Sequence, residues 1–219
     1  LRLRSKRLEI TTGISQQAAL AIQNSLLKRE MAERERLERE MQLAREIQSA
    51  FLPSEMPDLP GWEVNVWWRT AREMGGDFYD IFLTPNGCLG VVMADVADKR
   101  MPAALFMILV RALVRATMKD SLSPAEALYQ VNDLLVPDAH GGTFVTLFYA
   151  NLDLHSGELC YANAGQNPPL WVRRQEQAIE QLTKTGMALG VQEGIVIEER
   201  SITLGPGDYL VTYTDGVTD

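Results

Sequence analysis

Polar and apolar positions along the chain fall into successive textures. Residues 14–52 contain neither Gly nor Pro and are dominated by Ala, Leu, Glu, Arg and Gln, which predicts one long helix. Leu27, Leu37, Met41, Ala44 and Phe51 lie on a seam built from spacings of three and four, interrupted at Glu30, Arg34 and Gln48. Between Lys28 and Glu40 ten of thirteen residues are charged, five of each sign, and Glu30–Arg34 and Glu35–Arg39 have the favourable i,i+4 order. A partial heptad of this kind fits either a helix paired with a second copy or a single solvated linker helix. Pro53, Pro57 and Pro60 then end the helix and force an extended connection.

Past Gly61 the period shortens. Residues 62–68 alternate or run apolar and predict a strand, and residues 77–83 and 87–94 predict a hairpin around Pro85-Asn86-Gly87. An apolar helix is expected from Pro102 to about residue 119. Ser123-Pro124-Ala125-Glu126 has the form of a capping box that opens a second helix, to about residue 135. Residues 143–152 and 159–162 predict another hairpin around His155-Ser156-Gly157, and short strands recur to the end, split by Gly186, Gly190, Gly194 and Gly205-Pro206-Gly207-Asp208. Strands, two helices, then many strands indicate an α+β domain: a two-sheet sandwich flanked by helices, preceded by the long N-terminal helix.

Composition narrows the function classes. The formal charge of -8 argues against general nucleic-acid binding. Two cysteines, Cys88 and Cys160, sit singly in strand-like runs, which points to a reducing, cytoplasmic setting without a disulfide. No apolar run reaches the roughly 18 residues of a membrane span, and no secretory signal opens the sequence. The first residue is Leu1 and the last, Asp219, follows a strand-like run, so the sequence reads as a piece of a longer protein.

The candidate chemistry lies in carboxylates. Asp77, Asp95 and Asp215 each stand where an apolar run stops, with the carbonyls of Val96 and Gly216 next door. Hard oxygen donors of this type select magnesium, manganese or calcium, and strand ends brought together could hold two cations that activate water for attack on a phosphate ester. A strand-end Asp is equally a common turn residue, and spacing alone leaves both readings open. With two His and two Cys there is no zinc constellation, and neither a phosphate-binding loop ending in Lys-Ser/Thr nor a G-x-S-x-G elbow is present. A nucleophilic Asp-x-Asp of the haloacid-dehalogenase type is also missing at Asp95-Val96-Ala97.

Four ordered motifs add a resemblance. They are Gly75-Gly76-Asp77-Phe78-Tyr79-Asp80; residues 94–107, reading ADVADKRMPAALFM; residues 161–169, reading YANAGQNPP; and residues 213–219, reading YTDGVTD. In this order and spacing the chain closely resembles the bacterial PPM-type (type 2C-like) serine/threonine phosphatases of the sporulation-protein-E and stress-regulator branch, over residues 42–219. Residues 14–27 are similar to the final helix of a GAF sensor domain. The resemblance implies a division into residues 1–27 as the end of a sensor, 28–60 as a helical signalling linker and 61–219 as a phosphatase domain that lacks its last strand, with one further aspartate ligand. It implies a site for two Mn2+ or Mg2+ ions, with Asp95 shared between them, Asp77, Asp215 and the Val96 carbonyl as further ligands, and Gly76 and Arg100 toward the substrate. The activity implied is hydrolysis of phosphoserine or phosphothreonine by metal-activated water. The implied substrate is a STAS-type anti-anti-sigma protein, and an upstream sensor acts through the entering helix.

The chain also departs from that family pattern. Asp98 and Arg100 replace glycines beside Asp95. They are either solvated or paired with each other, or they displace the loop and weaken metal binding, or Arg100 reaches the substrate phosphate. Gln166 replaces the usual His of the Asn-Ala-Gly-His motif. These departures keep a second function in view, a catalytically weak module that binds its partner and relays the sensor state.

Overall fold

The computed structural model describes residues 2–53, 56–69, 75–97, 101–118, 123–139 and 142–217. The chain separates into two compact units, Leu1–Ala44 and Arg45–Asp219. The second begins on the helix, ahead of the Gly61 at which the sequence pattern changes.

The first unit is helical throughout, as part of α1 (Arg2–Ala50). Its apolar side chains Leu20, Ile22, Leu26, Leu27, Met31, Leu37 and Leu43 are all exposed; of the expected seam, Leu27, Leu37 and Phe51 are exposed, while Met41 and Ala44 are half-buried. Of the two ion pairs expected, Glu35–Arg39 forms at 3.8 Å, whereas Arg34 turns forward to Glu38 at the same distance and Arg36 pairs with Glu40 at 2.9 Å. On exposed surfaces such pairs contribute only a few tenths of a kcal/mol, on the order of 0.3–0.5 each.

The second unit is built in layers. Strands β1 (Phe78–Leu83), β2 (Leu89–Val96), β3 (Val145–Leu152), β4 (Glu158–Ala164) and β7 (Arg200–Thr203) form an antiparallel sheet in the order β1-β2-β3-β4-β7. A smaller antiparallel sheet, β6-β5-β8, joins Ala178–Gln181, Leu170–Arg173 and Tyr209–Val211. The period-two alternation of β2, β3 and β4 sorts their side chains to two faces. Val92, Ala94, Val96, Val145, Leu147, Tyr149, Ala162 and Ala164 point to one core. There they meet Ala103, Met107, Val110 and Val114 of α2 (Met101–Thr117) and Leu128, Val131 and Leu135 of α3 (Pro124–Leu135). The alternate positions Leu89, Phe148, Ala150, Leu152, Leu159 and Tyr161 form a second core, against which Trp171 and Leu210 of the small sheet pack. The order of layers is therefore helices, large sheet, small sheet. This is the expected α+β sandwich, with α2 and α3 on one side.

Local signals account for the element boundaries. The β1–β2 hairpin turns at residues 84–88, where the Cys88 amide and carbonyl both bond the Thr84 hydroxyl and Gly87 takes a φ of 82°, a conformation side chains resist. At α3 the capping box closes in both directions: the Glu126 amide donates to Ser123 Oγ at 3.3 Å, and the Ser123 amide donates to the Glu126 carboxylate at 3.2 Å.

One expected strand does not form. Residues 62–69 are extended but pair with neither sheet. Side chains anchor them instead. Trp62 and Val64 pack on the second core, Trp68 packs on the first, and the Trp62 indole donates to the Leu154 carbonyl at 3.0 Å. The alternation that predicted a strand is real, but a ladder needs a neighbouring edge in register, and sequence alternation does not supply one. Among the described residues no helix is long and apolar enough to cross a membrane.

Candidate metal centre

Three segments distant in sequence deliver the three aspartates to one end of the sandwich. Asp77 lies in the turn leading into β1, Asp95 is the penultimate residue of β2, and Asp215 opens the short 3-10 turn Asp215–Val217 after β8. One carboxylate oxygen from each lies within 4.8 Å of the others. Asp77 and Asp95 are partly buried and Asp215 is exposed, so the cluster opens to solvent on one side.

Several contacts hold Asp77. The Thr214 hydroxyl donates to its Oδ2 at 2.7 Å, and the Trp68 indole donates to its backbone carbonyl at 3.3 Å. Gly76 sits so close to the end of β2 that a Cβ there would stand 2.6 Å from the Val96 carbonyl oxygen. The backbone carbonyl of Val96 thus faces the Gly75–Asp77 turn. Gly76→Ala sets backbone against backbone, which no rotamer change relieves, so a loss of about 1–3 kcal/mol is expected in urea unfolding. A melt unchanged from the parent would show that the turn can slide away.

Electrostatically the cluster is short of positive charge. Burial first, then the hydrogen bond and charge of Asp77 and the charge of Asp215, push the Asp95 carboxyl up to about 8 from its usual 3.8. Because the folded value is the raised one, the metal-free chain holds this proton at low pH and loses the associated stability as pH rises toward 8. Thermal melts of the metal-free protein between pH 5 and pH 8 are expected to fall with rising pH and to recover when a divalent cation is added. A profile that rises over this range would contradict the crowding. All-oxygen donors and like charges forced together fit a hard divalent cation.

The cluster forms part of the wall of a cleft of about 1350 Å3, bordered also by Trp62, Trp67, Trp68, Tyr79 and Tyr213. Trp67 is 75% exposed. Of the other expected site residues, Gly76 and Val96 line the same cleft, while Asp98 and Arg100 lie outside the described residues. Gln166 is buried and its Oε1 accepts a hydrogen bond from Thr146 at 2.6 Å, a structural placement. Thr214 and Trp68 escaped the sequence reading. The position of Thr214, directly before Asp215 in a motif already singled out, was the available signal.

Residues 85–219 match the family described as Stage II sporulation protein E (SpoIIE). The chain belongs to the SpoIIE family. The match takes in Asp95 and Asp215, and Asp77 lies just ahead of it. Among curated proteins the chain is similar to Protein IcfG of Synechocystis sp., at 33% identity covering 82% of this chain and 32% of that protein. It is also similar to Phosphoserine phosphatase RsbU of Bacillus subtilis, at 26% identity covering 82% of this chain and 53% of that protein. This SpoIIE-family chain thus spans between a third and about half of the length of these relatives. Among solved structures the SiaA-PP2C domain of Pseudomonas aeruginosa aligns at a TM-score of 0.70 and 20% identity, covering 84% of this chain and 74% of that one. That likeness establishes the PP2C-type fold.

Proposed function

We propose that this chain carries the catalytic part of a metal-dependent protein serine/threonine phosphatase. The observation that carries the reading is the convergence of Asp77, Asp95 and Asp215 from three separate segments in a SpoIIE-family chain similar to a named phosphoserine phosphatase. Two Mn2+ or Mg2+ ions held by these carboxylates and the Val96 carbonyl would supply the activated water that hydrolyses phosphoserine or phosphothreonine. The chain's own groups do the positioning. Thr214 fixes the Asp77 carboxylate by donating to its Oδ2, Trp68 holds the same residue by its carbonyl, and the open side at Asp215 admits the phosphate. Aromatic walls continuing away from the aspartates suit a polypeptide substrate rather than a small phosphate ester.

The substrate in this reading is a phosphorylated STAS-type anti-anti-sigma protein. Residues 1–27 end a GAF-type sensor, 28–60 form the signalling linker, and 61–219 form the phosphatase domain. The exposed apolar side chains of α1 between Leu20 and Leu37 support pairing of two copies through the linker. Gln166, which weighed for a binding-only module, is buried with its Oε1 bonded by Thr146, and that alternative keeps Asp98 and Arg100 as its remaining support.

The test is release of phosphate from a phosphoserine protein by the full-length protein, with and without Mn2+. Cation-dependent release is expected. Binding of Mn2+ without any turnover would favour the binding module, and failure to bind the cation would sink the reading altogether.

A further inference from the structure

Residues 62–69 border the cleft and are tied to the aspartates by the bond from the Trp68 indole to the Asp77 carbonyl. The segment is extended, yet among the described residues no backbone amide or carbonyl from Glu63 to Arg69 is hydrogen-bonded. Trp62, Val64 and Trp68 pack on the cores and hold this backbone in place while its polar groups stay open. Trp67 and Arg69 point the other way. Both are exposed, and two residues of extended chain set them roughly 6.5–7 Å apart on one side. Among the described residues Arg69 has neither an ion pair nor a hydrogen bond, and it is the one basic side chain on the cleft wall. The acidic groups there are answered: Glu63 by Asn65, and Asp208 by the Trp171 indole and the amides of Arg174 and Gly205. Outside the aspartate cluster, Arg69 is the charge that nothing described meets.

We infer that residues 63–69 are a docking strip for the substrate protein, which lays an extended stretch next to its phosphoserine along this backbone and sets an acidic side chain opposite Arg69. The inference rests on the phosphatase reading above and names what that substrate must carry. A fixed, extended backbone with open donors and acceptors suits strand addition, in which main-chain bonds give affinity and alternate side chains give specificity. Residues opposite one another on paired strands stand about 4.5–5.5 Å apart, within reach of an ion pair at Arg69. The guanidinium fork matches a carboxylate in two hydrogen bonds. Trp67, rigid and open, supplies the apolar contact one pleat away, the kind of residue that anchors interfaces. The substrate feature is therefore an apolar and an acidic residue at alternate positions beside the phosphoserine.

The probes are synthetic phosphoserine peptides with Leu and Glu at alternate positions on either side of the phosphoserine, the same peptides with Lys for Glu, and the serine form of each, which is not consumed. In the full-length protein the amides of residues 63–69 are expected to exchange readily with solvent. The serine Glu peptide, at about ten times its Kd, is expected to slow them about tenfold. Slow exchange without peptide would mean that the chain itself covers the strip, and overturns the inference. With Mn2+, the parent is expected to favour the Glu over the Lys phosphopeptide about three- to fivefold in kcat/KM, the scale of an exposed ion pair, and Arg69→Glu is expected to reverse that preference. Trp67→Ala is expected to weaken the serine Glu peptide about tenfold by calorimetry. An Arg69→Glu loss equal for both peptides, or no peptide-dependent protection, overturns the inference whatever the turnover. Protection of the strip without any phosphate release would instead defeat the phosphatase reading and leave the docking strip standing.

Discussion

Asp95→Ala is expected to lower phosphate release by more than about 100-fold, exceeding what the loss of a mere supporting group does at a metal site. The same substitution is expected to leave the metal-free fold as stable as the parent at pH 8, or more stable. The reason is the crowding at the site. In the absence of a cation the partly buried Asp95 carboxyl lies beside Asp77 and Asp215, and its proton is retained up to about pH 8 because ionising it there is unfavourable. Alanine removes a carboxylate whose ionisation the metal-free fold disfavours and which the proposed reaction would need. Activity and stability should therefore move in opposite directions, and the pH-dependent fall in stability described above should flatten. A variant that loses activity and also unfolds at markedly lower temperature would assign Asp95 a structural role instead.

The second large effect concerns Asp80, three residues after Asp77. Its side chain is fully buried on the helix-facing side of β1 and accepts two hydrogen bonds from Arg115 of α2, both at 2.6 Å, with Arg111 at 3.2 Å. The Ile81 amide donates to the same carboxylate at 3.0 Å, and the Arg115 guanidinium lies 4.4 Å from the centre of the Phe82 ring. This cluster ties α2 to β1. Asp80→Ala leaves two guanidinium groups facing each other without their counter-charge, one of them only 18% exposed. Removing one member of a buried pair typically costs 3–5 kcal/mol, and the partial exposure of Arg115 places the expectation at about 3. For a chain of this size that corresponds to a fall of roughly 6–12 °C in melting temperature. Asp80→Ala combined with Arg115→Met should recover part of the loss. A single-variant loss below about 1 kcal/mol would mean the arginines reach water freely and the pair is dispensable.

How much of this was legible beforehand follows from the range of each interaction. The α3 capping box is settled within four residues, so Ser123 and Glu126 declared it. The faces of β2, β3 and β4 follow from alternation, and so do the two cores. Asp95 and Asp215 could be recognised as candidates because each stood at the end of an apolar run, whereas Asp77 turned out to precede its strand, and the ordered motifs tied the three together. Residues 62–68 carried the same alternation, yet strand formation depends on a partner edge that local pattern does not encode. Gln48, whose side chain bonds the Gly75 carbonyl and amide, was opaque for a related reason. It interrupts an apolar seam, and from the sequence alone an interruption looks like a flaw in a heptad. Its meaning appears only once Gly75 is brought beside it. Asp80 lay inside a quoted motif, but its partners stand on a helix some thirty residues away, at spacings without a sequence signature.

The placement of the tryptophans has a practical side. Of the four in the chain, Trp62, Trp67 and Trp68 line the cleft, while Trp171 faces the inter-sheet core with its indole bonded to Asp208. The protein's ultraviolet emission is therefore weighted toward the one region where a phosphorylated partner would lie, with Trp67 as the indole most open to quenching. The cleft comes with its own optical reporter, and occupancy can be followed without attaching a dye.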